Sequence, residues 1–107
     1  MAKLYQGRVD AEATSRVSVN GKPLNMRLDL RNHSPAGFSW GYAGSGPAQT
    51  ALALLCDATG DIEEAQRYYQ LFKEAVIAHI PQSEDWEMTD SEILEHLNEI
   101  KKVKVAK

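Results

Sequence analysis

The sequence predicts an α+β fold, a small antiparallel N-terminal sheet packed against about three C-terminal helices. Three observations carry this. Before position 45 apolar residues alternate with polar ones, the period of a half-buried strand, whereas after position 46 they recur every three or four residues, the period of a helix. The change falls in NHSPAGFSWGYAGSGPAQTALALL, Asn32 to Leu55, an aromatic segment that holds four of the seven glycines (Gly37, Gly41, Gly44, Gly46). Strands that precede helices, instead of alternating with them, place the helices on one side of an antiparallel sheet. At 107 residues the chain has the length of one domain. Its strands and glycine-rich loop occupy 1–45, its helical part 46–102, and a basic tail 103–107.

The elements follow in order. LYQGRV near the start reads as a first strand. In RVSVNGKPLNMRLDL, Val17 and Val19 alternate with polar residues up to Asn20-Gly21, a pair that tolerates positive φ and is the strongest short hairpin signal. Met26, Leu28 and Leu30 then alternate with Arg27, Asp29 and Arg31, which predicts a return strand with one apolar and one charged face. Pro23 lacks the N–H of a ladder, so that strand begins at an edge or a bulge. Phe38 and Trp40 read as a further short strand. Pro47 suits the first turn of a helix, Ser45 or Gly46 its N-cap, and Gly60 its C′ position. Ala48, Ala51, Leu52, Ala53, Leu54 and Leu55 make that helix apolar nearly all round, hence buried. Asp61 and Glu64 form a capping box for a second helix, whose inner stripe is Ile62, Ala65, Tyr69, Phe72, Val76 and Ile80 and which Pro81 halts. Thr89 and Glu92 form the box of a third, with Met88 and Ile93 as its hydrophobic staple and Ile93, Leu94, Leu97 and Ile100 facing inward.

Composition removes several functions. A chain that is 43 % hydrophobic and 25 % charged is an ordinary soluble globule. MAKLYQGRVD has no apolar secretion core, and no run of apolar residues suffices for a membrane span, so the expected address is the cytoplasm. Cys56 is the only cysteine, which leaves no internal disulfide and no cysteine-based metal cluster. Its setting in an apolar helix beside Asp57 makes a poor thiolate. His79 and His96 fall on separate elements without a further ligand at metal spacing, so neither a metal nor another cofactor is expected. Residues 1–60 carry six Lys or Arg against four Asp or Glu, a balance of +2, and residues 61–107 six against eleven, a balance of −5. Duplex nucleic acid requires a concentrated basic face, and none is evident. Lys101 to Lys107 read as a solvated terminus.

One place concentrates functional chemistry. A glycine-rich turn that feeds a helix start presents free backbone N–H groups at the positive end of the helix dipole, a setting for phosphate or carboxylate. Gly41, Gly44, Ser45 and Gly46 supply that turn, and Gln49 lies one turn further in. Phe38, Trp40 and Tyr42 offer rings on which a base could stack. Arg31, Asn32, His33 and Ser34 immediately precede the loop, Arg31 as a forked anion donor and His33 as a group titrating near neutrality. The opposing structural reading gives the glycines to a sharp turn into a buried helix, Phe38 and Trp40 to the core, Arg31 to an ion pair with Asp29, and His33 to a turn carbonyl. The loop lacks the lysine of GxxxxGK[ST] and the spacing of GxGxxG. Of Tyr68 and Tyr69 one is expected inward and one at the rim. Trp86 is expected to close the core between the second and third helices, with an exposed partner anchor as the alternative.

The run from Arg27 to Leu55, with YQGRV, VNGKPL and YYQLFKEAVIAHIP, resembles a family of small uncharacterised proteins found in bacteria and on plasmids and phages, whose signature is NHSPxGFxWGYxGSGPAQ. The resemblance covers Tyr5 to Ile93 and departs after Asn98. It implies a role in phage or plasmid biology and no particular activity. Three functions follow as expectations. The first is a binding module for a small anionic, nucleotide-like ligand through Arg31, Asn32, His33, Ser34, Trp40, Tyr42, Gly44, Ser45, Gly46 and Gln49, serving to sequester or sense it. The second is an interaction protein that blocks a host enzyme through Trp86 and the acidic helices. The third is a phosphoester hydrolase with His33 as base and Arg31 as charge stabiliser. The sequence leaves the oligomeric state open, a homodimer included.

Overall fold

The computed structural model describes residues 2–34 and 37–106, the last three by their backbone alone. Pro35, Ala36 and Lys107, which the sequence placed in the polar cluster and the basic tail, lie outside the described residues. The chain runs β1 (Leu4–Val9), β2 (Ser15–Val19), β3 (Lys22–Pro23), α1 (Ser45–Thr59), α2 (Ile62–Ala75), a 3₁₀ turn at Ile77–His79, β4 (Trp86–Thr89) and α3 (Asp90–Ala106). The sheet is antiparallel in the order β3-β2-β1-β4. This is the α+β fold that the change of period predicts.

The hairpin forms where Asn20-Gly21 puts it. Both residues have positive φ (49° and 82°), and Val19 pairs with Lys22 across the turn. The predicted return strand ends almost as it begins. After one more bond, Leu24 N to Val17 O at 3.0 Å, the Asn25 side chain accepts from Arg27 N at 2.9 Å. Arg27 takes φ +59°, and its carbonyl accepts from Leu30 N and Arg31 N. Local turn chemistry outcompetes the ladder here. Met26 and Leu30 still pack on the core, and Leu28 is exposed. Phe38 and Trp40 are core residues on irregular backbone, not a strand.

The fourth strand comes from WEMT, which directly precedes the third helix. Trp86 and Met88 face the core, Glu87 faces outward, and Gly7 of β1 sits opposite Trp86. A β-carbon at Gly7 would overlap the indole nitrogen, so that glycine is what allows the ring to lie across β1. Trp86 is therefore buried against Trp40, edge to face at 5.6 Å, and is no exposed anchor.

The helices end as their caps dictate. Gly60 takes φ +68° and returns its N–H to Cys56 O at 3.0 Å. Asp61 Oδ1 accepts from Glu64 N at 3.1 Å, while Glu64 turns its carboxylate to Lys101 Nζ at 2.6 Å. The box at α3 is complete, with Thr89 N to Glu92 Oε1 at 2.9 Å and Glu92 N to Thr89 Oγ1 at 3.1 Å. In the second helical segment Ala65, Tyr69, Phe72 and Ile77 are buried, whereas Ile62 is exposed because it opens the helix. α1 lies at the centre, buried from Gly46 to Cys56. Lys101 also lies over the Tyr68 ring at 5.7 Å, so α3 carries the basic residues onward as helix. Among the described residues no helix is long and apolar enough to cross a membrane.

Candidate functional site

The glycine-rich segment closes tightly over the start of α1. Gly44 is the N-cap and offers no side chain to the first turn. The Tyr42 ring lies directly over it, 2.6 Å from where a β-carbon would stand. At Gly46 a β-carbon would overlap Ser39 Oγ, which also contacts the Tyr42 hydroxyl at 2.9 Å. Gly41 has φ +89° and sits against the backbone of Gln82, its N–H bonded to Ile77 O at 3.1 Å. Thr50 completes the clasp by accepting from Ser39 N at 3.2 Å and donating to Ser39 O at 2.8 Å. Glycines are needed here because neighbouring protein groups occupy the space a β-carbon would use. Tyr42 and Ser39 thus cover part of the helix start, and Ser45 stays exposed.

Gln49, which the sequence suggested as a ligand contact, is 0 % exposed and fully engaged. Its Oε1 accepts from His33 N at 2.8 Å and Ser34 N at 3.2 Å, and its Nε2 donates to Met26 O at 2.6 Å. One buried amide thus pins the irregular stretch from Met26 to Ser34 onto α1. Trp40 is 1 % exposed and donates Nε1 to Glu84 O at 3.1 Å, so neither of its faces is open to a base. Ser34 Oγ donates to Gly37 O at 2.8 Å. His33 Nε2 lies 2.8 Å from the Tyr69 hydroxyl, and Tyr69 is the inward member of its pair.

Charge pairing departs from expectation too. Asp29 is held by Arg27 through two bonds, Nε to Oδ1 at 3.2 Å and a terminal nitrogen to Oδ2 at 3.1 Å. That guanidinium keeps the Asp29 carboxyl below its ordinary range. Among the described residues the hydrogen bonds of Asp29 go to Arg27, and His33 Nε2 meets Tyr69 instead. Arg31 remains exposed, and Asn32, Tyr42 and Ser45 are exposed with it. The outer residues of the predicted cluster stay accessible, and Gly46, Gln49 and Trp40 are withdrawn into the fold.

Three polar groups meet where β1 crosses the end of α1. The buried Tyr5 hydroxyl donates to Asp57 Oδ1 at 2.6 Å, and Lys3 Nζ reaches the same oxygen at 3.1 Å. Burial, then the Asp57 carboxylate, pushes the Tyr5 hydroxyl far above its ordinary value. Burial likewise raises the Cys56 thiol, which suits an inert core group. Among the described residues no cluster of three His, Cys, Asp or Glu could hold a metal ion.

The feature that sequence reasoning missed is a groove of about 670 Å³ between the C-terminal part of α2 and α3. Its walls are apolar, from Leu71, Ala75, Val76, Ile100 and Val103. Leu71 is 38 % and Val103 61 % exposed. Glu74, His96 and Glu99 stand along it, and the His96 ring meets Phe72 beneath at 6.3 Å. The available signal was Leu71 and Val103, apolar residues outside the inner stripes of their helices.

No curated protein and no solved structure matches the chain. Residues 5–99 match a family of unknown function, DUF6166. Covering nearly the whole sequence and the clasp of glycines, Gln49 and Thr50 that organises it, this match places the chain in the DUF6166 family.

Proposed function

We propose that the protein is a small protein-binding module whose recognition surface is the groove between α2 and α3. The observation that carries this reading is an apolar trough of about 670 Å³ left open between the two helices, with Leu71 and Val103 facing solvent. Apolar patches of this kind mark interaction sites. The acidic balance of residues 61–107 supports the same surface, since the groove lies wholly within them. Binding and blocking a host enzyme is one form this function would take.

The test places a photoreactive benzophenone side chain at position 103, and separately at Arg16 on the sheet, in cells of the organism the sequence comes from. A defined protein adduct formed from position 103 and lost with Leu71→Glu supports the reading. Adducts from Arg16 alone, or none from either position, overturn it.

A second reading, a module for a small anionic, nucleotide-like ligand, draws support from Arg31, whose exposed guanidinium has no partner among the described residues, and from exposed Ser45 at a helix start without a side-chain cap. A panel of nucleotides that raises the melting temperature of the wild type and not of Arg31→Ala would favour it. Hydrolysis has less support, because Asp29 is taken by Arg27 and His33 Nε2 faces Tyr69.

A further inference from the structure

Resting on the protein-binding reading, we infer that the occupant of the groove is an amphipathic helix of another protein, apolar on one face and flanked by Lys or Arg. Shape and charge argue for it separately. The trough follows two packed helices and is walled by Leu71 and Ala75 on α2, Val76 just past its end, and Ile100 and Val103 on α3. A helix laid along such a trough buries residues spaced three and four apart, the usual mode of helix-in-groove recognition. Its other rows stay at the rim.

The rim is acidic. Glu74 is exposed without an ion pair among the described residues, and Glu99 has only Lys102 at 3.3 Å, both side chains more than 70 % exposed. A pair so exposed contributes little and is easily exchanged for another. The second basic residue of this part of α3, Lys101, is turned away to Glu64 and the Tyr68 ring. A second copy of this chain would bring Glu74 and Glu99 against their own like, whereas Lys or Arg flanking an apolar stripe would meet both carboxylates. Complementarity of this kind chooses partners and speeds encounter.

The experiment offers the full chain a displayed library of helix-forming peptides about five turns long, with core-facing and flanking positions randomised. The inference predicts selected peptides with an apolar stripe and basic flanks. Their affinity falls by at least about tenfold on Val103→Asp, falls by about tenfold on the double change Glu74→Lys and Glu99→Lys, and weakens with added salt. That double variant should in turn gain affinity for the same peptide with Glu flanks. Because Val103, Glu74 and Glu99 are exposed, these variants keep the wild-type melting temperature. Selected peptides that need Val103 but show no preference for basic flanks would overturn the inference and leave the protein-binding reading intact. Sedimentation that shows a dimer abolished by Val103→Asp would overturn it in favour of a second copy. No peptide that depends on Val103, together with an empty crosslink at position 103, would remove both.

Discussion

Gln49 is the residue on which the irregular part of the chain depends. Its amide is buried and meets three backbone groups of the Met26–Ser34 stretch, so a smaller or apolar replacement leaves two N–H donors and a carbonyl without partners. We expect Gln49→Leu to cost about 2–4 kcal/mol, given about 1–3 kcal/mol for each buried polar group left unsatisfied. Denaturant titration reads this directly, and a variant within about 0.5 kcal/mol of wild type would show that the amide is not a staple. Gly46→Ala tests the seal over α1. The added methyl group meets Ser39 Oγ and, at 2.9 Å, the Tyr42 hydroxyl, and overpacking of this sort costs about 1–3 kcal/mol. An open ligand site would accept it at little cost.

Tyr5 governs the alkaline limit. Its folded-state value is raised, so above its ordinary value of 10.0 the unfolded chain gives up a proton that the folded chain keeps, and the balance moves toward unfolding. The buried Cys56 thiol acts in the same direction from 9.0 upward. Stability should therefore be level with respect to these groups below about pH 9 and decline as pH rises beyond it. Tyr5→Phe should flatten the decline above pH 10 after a loss of about 1 kcal/mol at neutral pH for the bond to Asp57. Equal slopes in wild type and Tyr5→Phe, measured by urea titration from pH 8 to about pH 11, would contradict this.

At the level of elements, the joint between β4 and α3 ties the last helix directly to the sheet. Thr89 ends the strand and caps the helix, exchanging bonds with Glu92 in both directions. Thr89→Ala should cost about 0.5–2 kcal/mol, with the loss visible in the thermal midpoint. The same joint shows how far the sequence can be read. Thr89 and Glu92 announced the helix through a local pattern, and Asn20-Gly21, Gly60 and Asp61 did the same for their turns and caps. β4 was hidden because four residues of alternation are brief and their partner, β1, is some eighty positions away, as Gln6 opposite Glu87 shows. The false return strand arose in the opposite way. Met26, Leu28 and Leu30 do alternate, but the Asn25 side chain seizes the Arg27 N–H and bends the backbone first. For the candidate site, Arg31, Tyr42 and Ser45 were legible as accessible groups, whereas the burial of Gln49 and Trp40 depends on tertiary packing that no local spacing reveals.

Across the whole molecule, the clasp over α1 and the groove between α2 and α3 are built from different stretches of the chain. The motif-bearing stretch from Asn32 to Gln49 is spent largely on closing the central helix against the sheet, with Trp40, Gln49 and Thr50 inside and the glycines giving way to Ser39, Tyr42 and Gln82. The groove between α2 and α3 stays open and apolar beside Glu74 and Glu99. This separation makes a structural prediction about variants. Changes in the clasp should lower stability first and any partner affinity only as a consequence, while Leu71→Glu and Val103→Asp should lose affinity at unchanged melting temperature.

Backbone amide and side-chain methyl resonances of the labelled protein, followed while a peptide selected on the wild-type chain is added, test the central claim most directly. The account predicts movement of the Leu71, Val76, Ile100 and Val103 methyl signals, with the amides of Arg31, Tyr42 and Ser45 still. Shifts gathered at Arg31 to Gly46, with the α2 and α3 methyl signals unmoved, would contradict it.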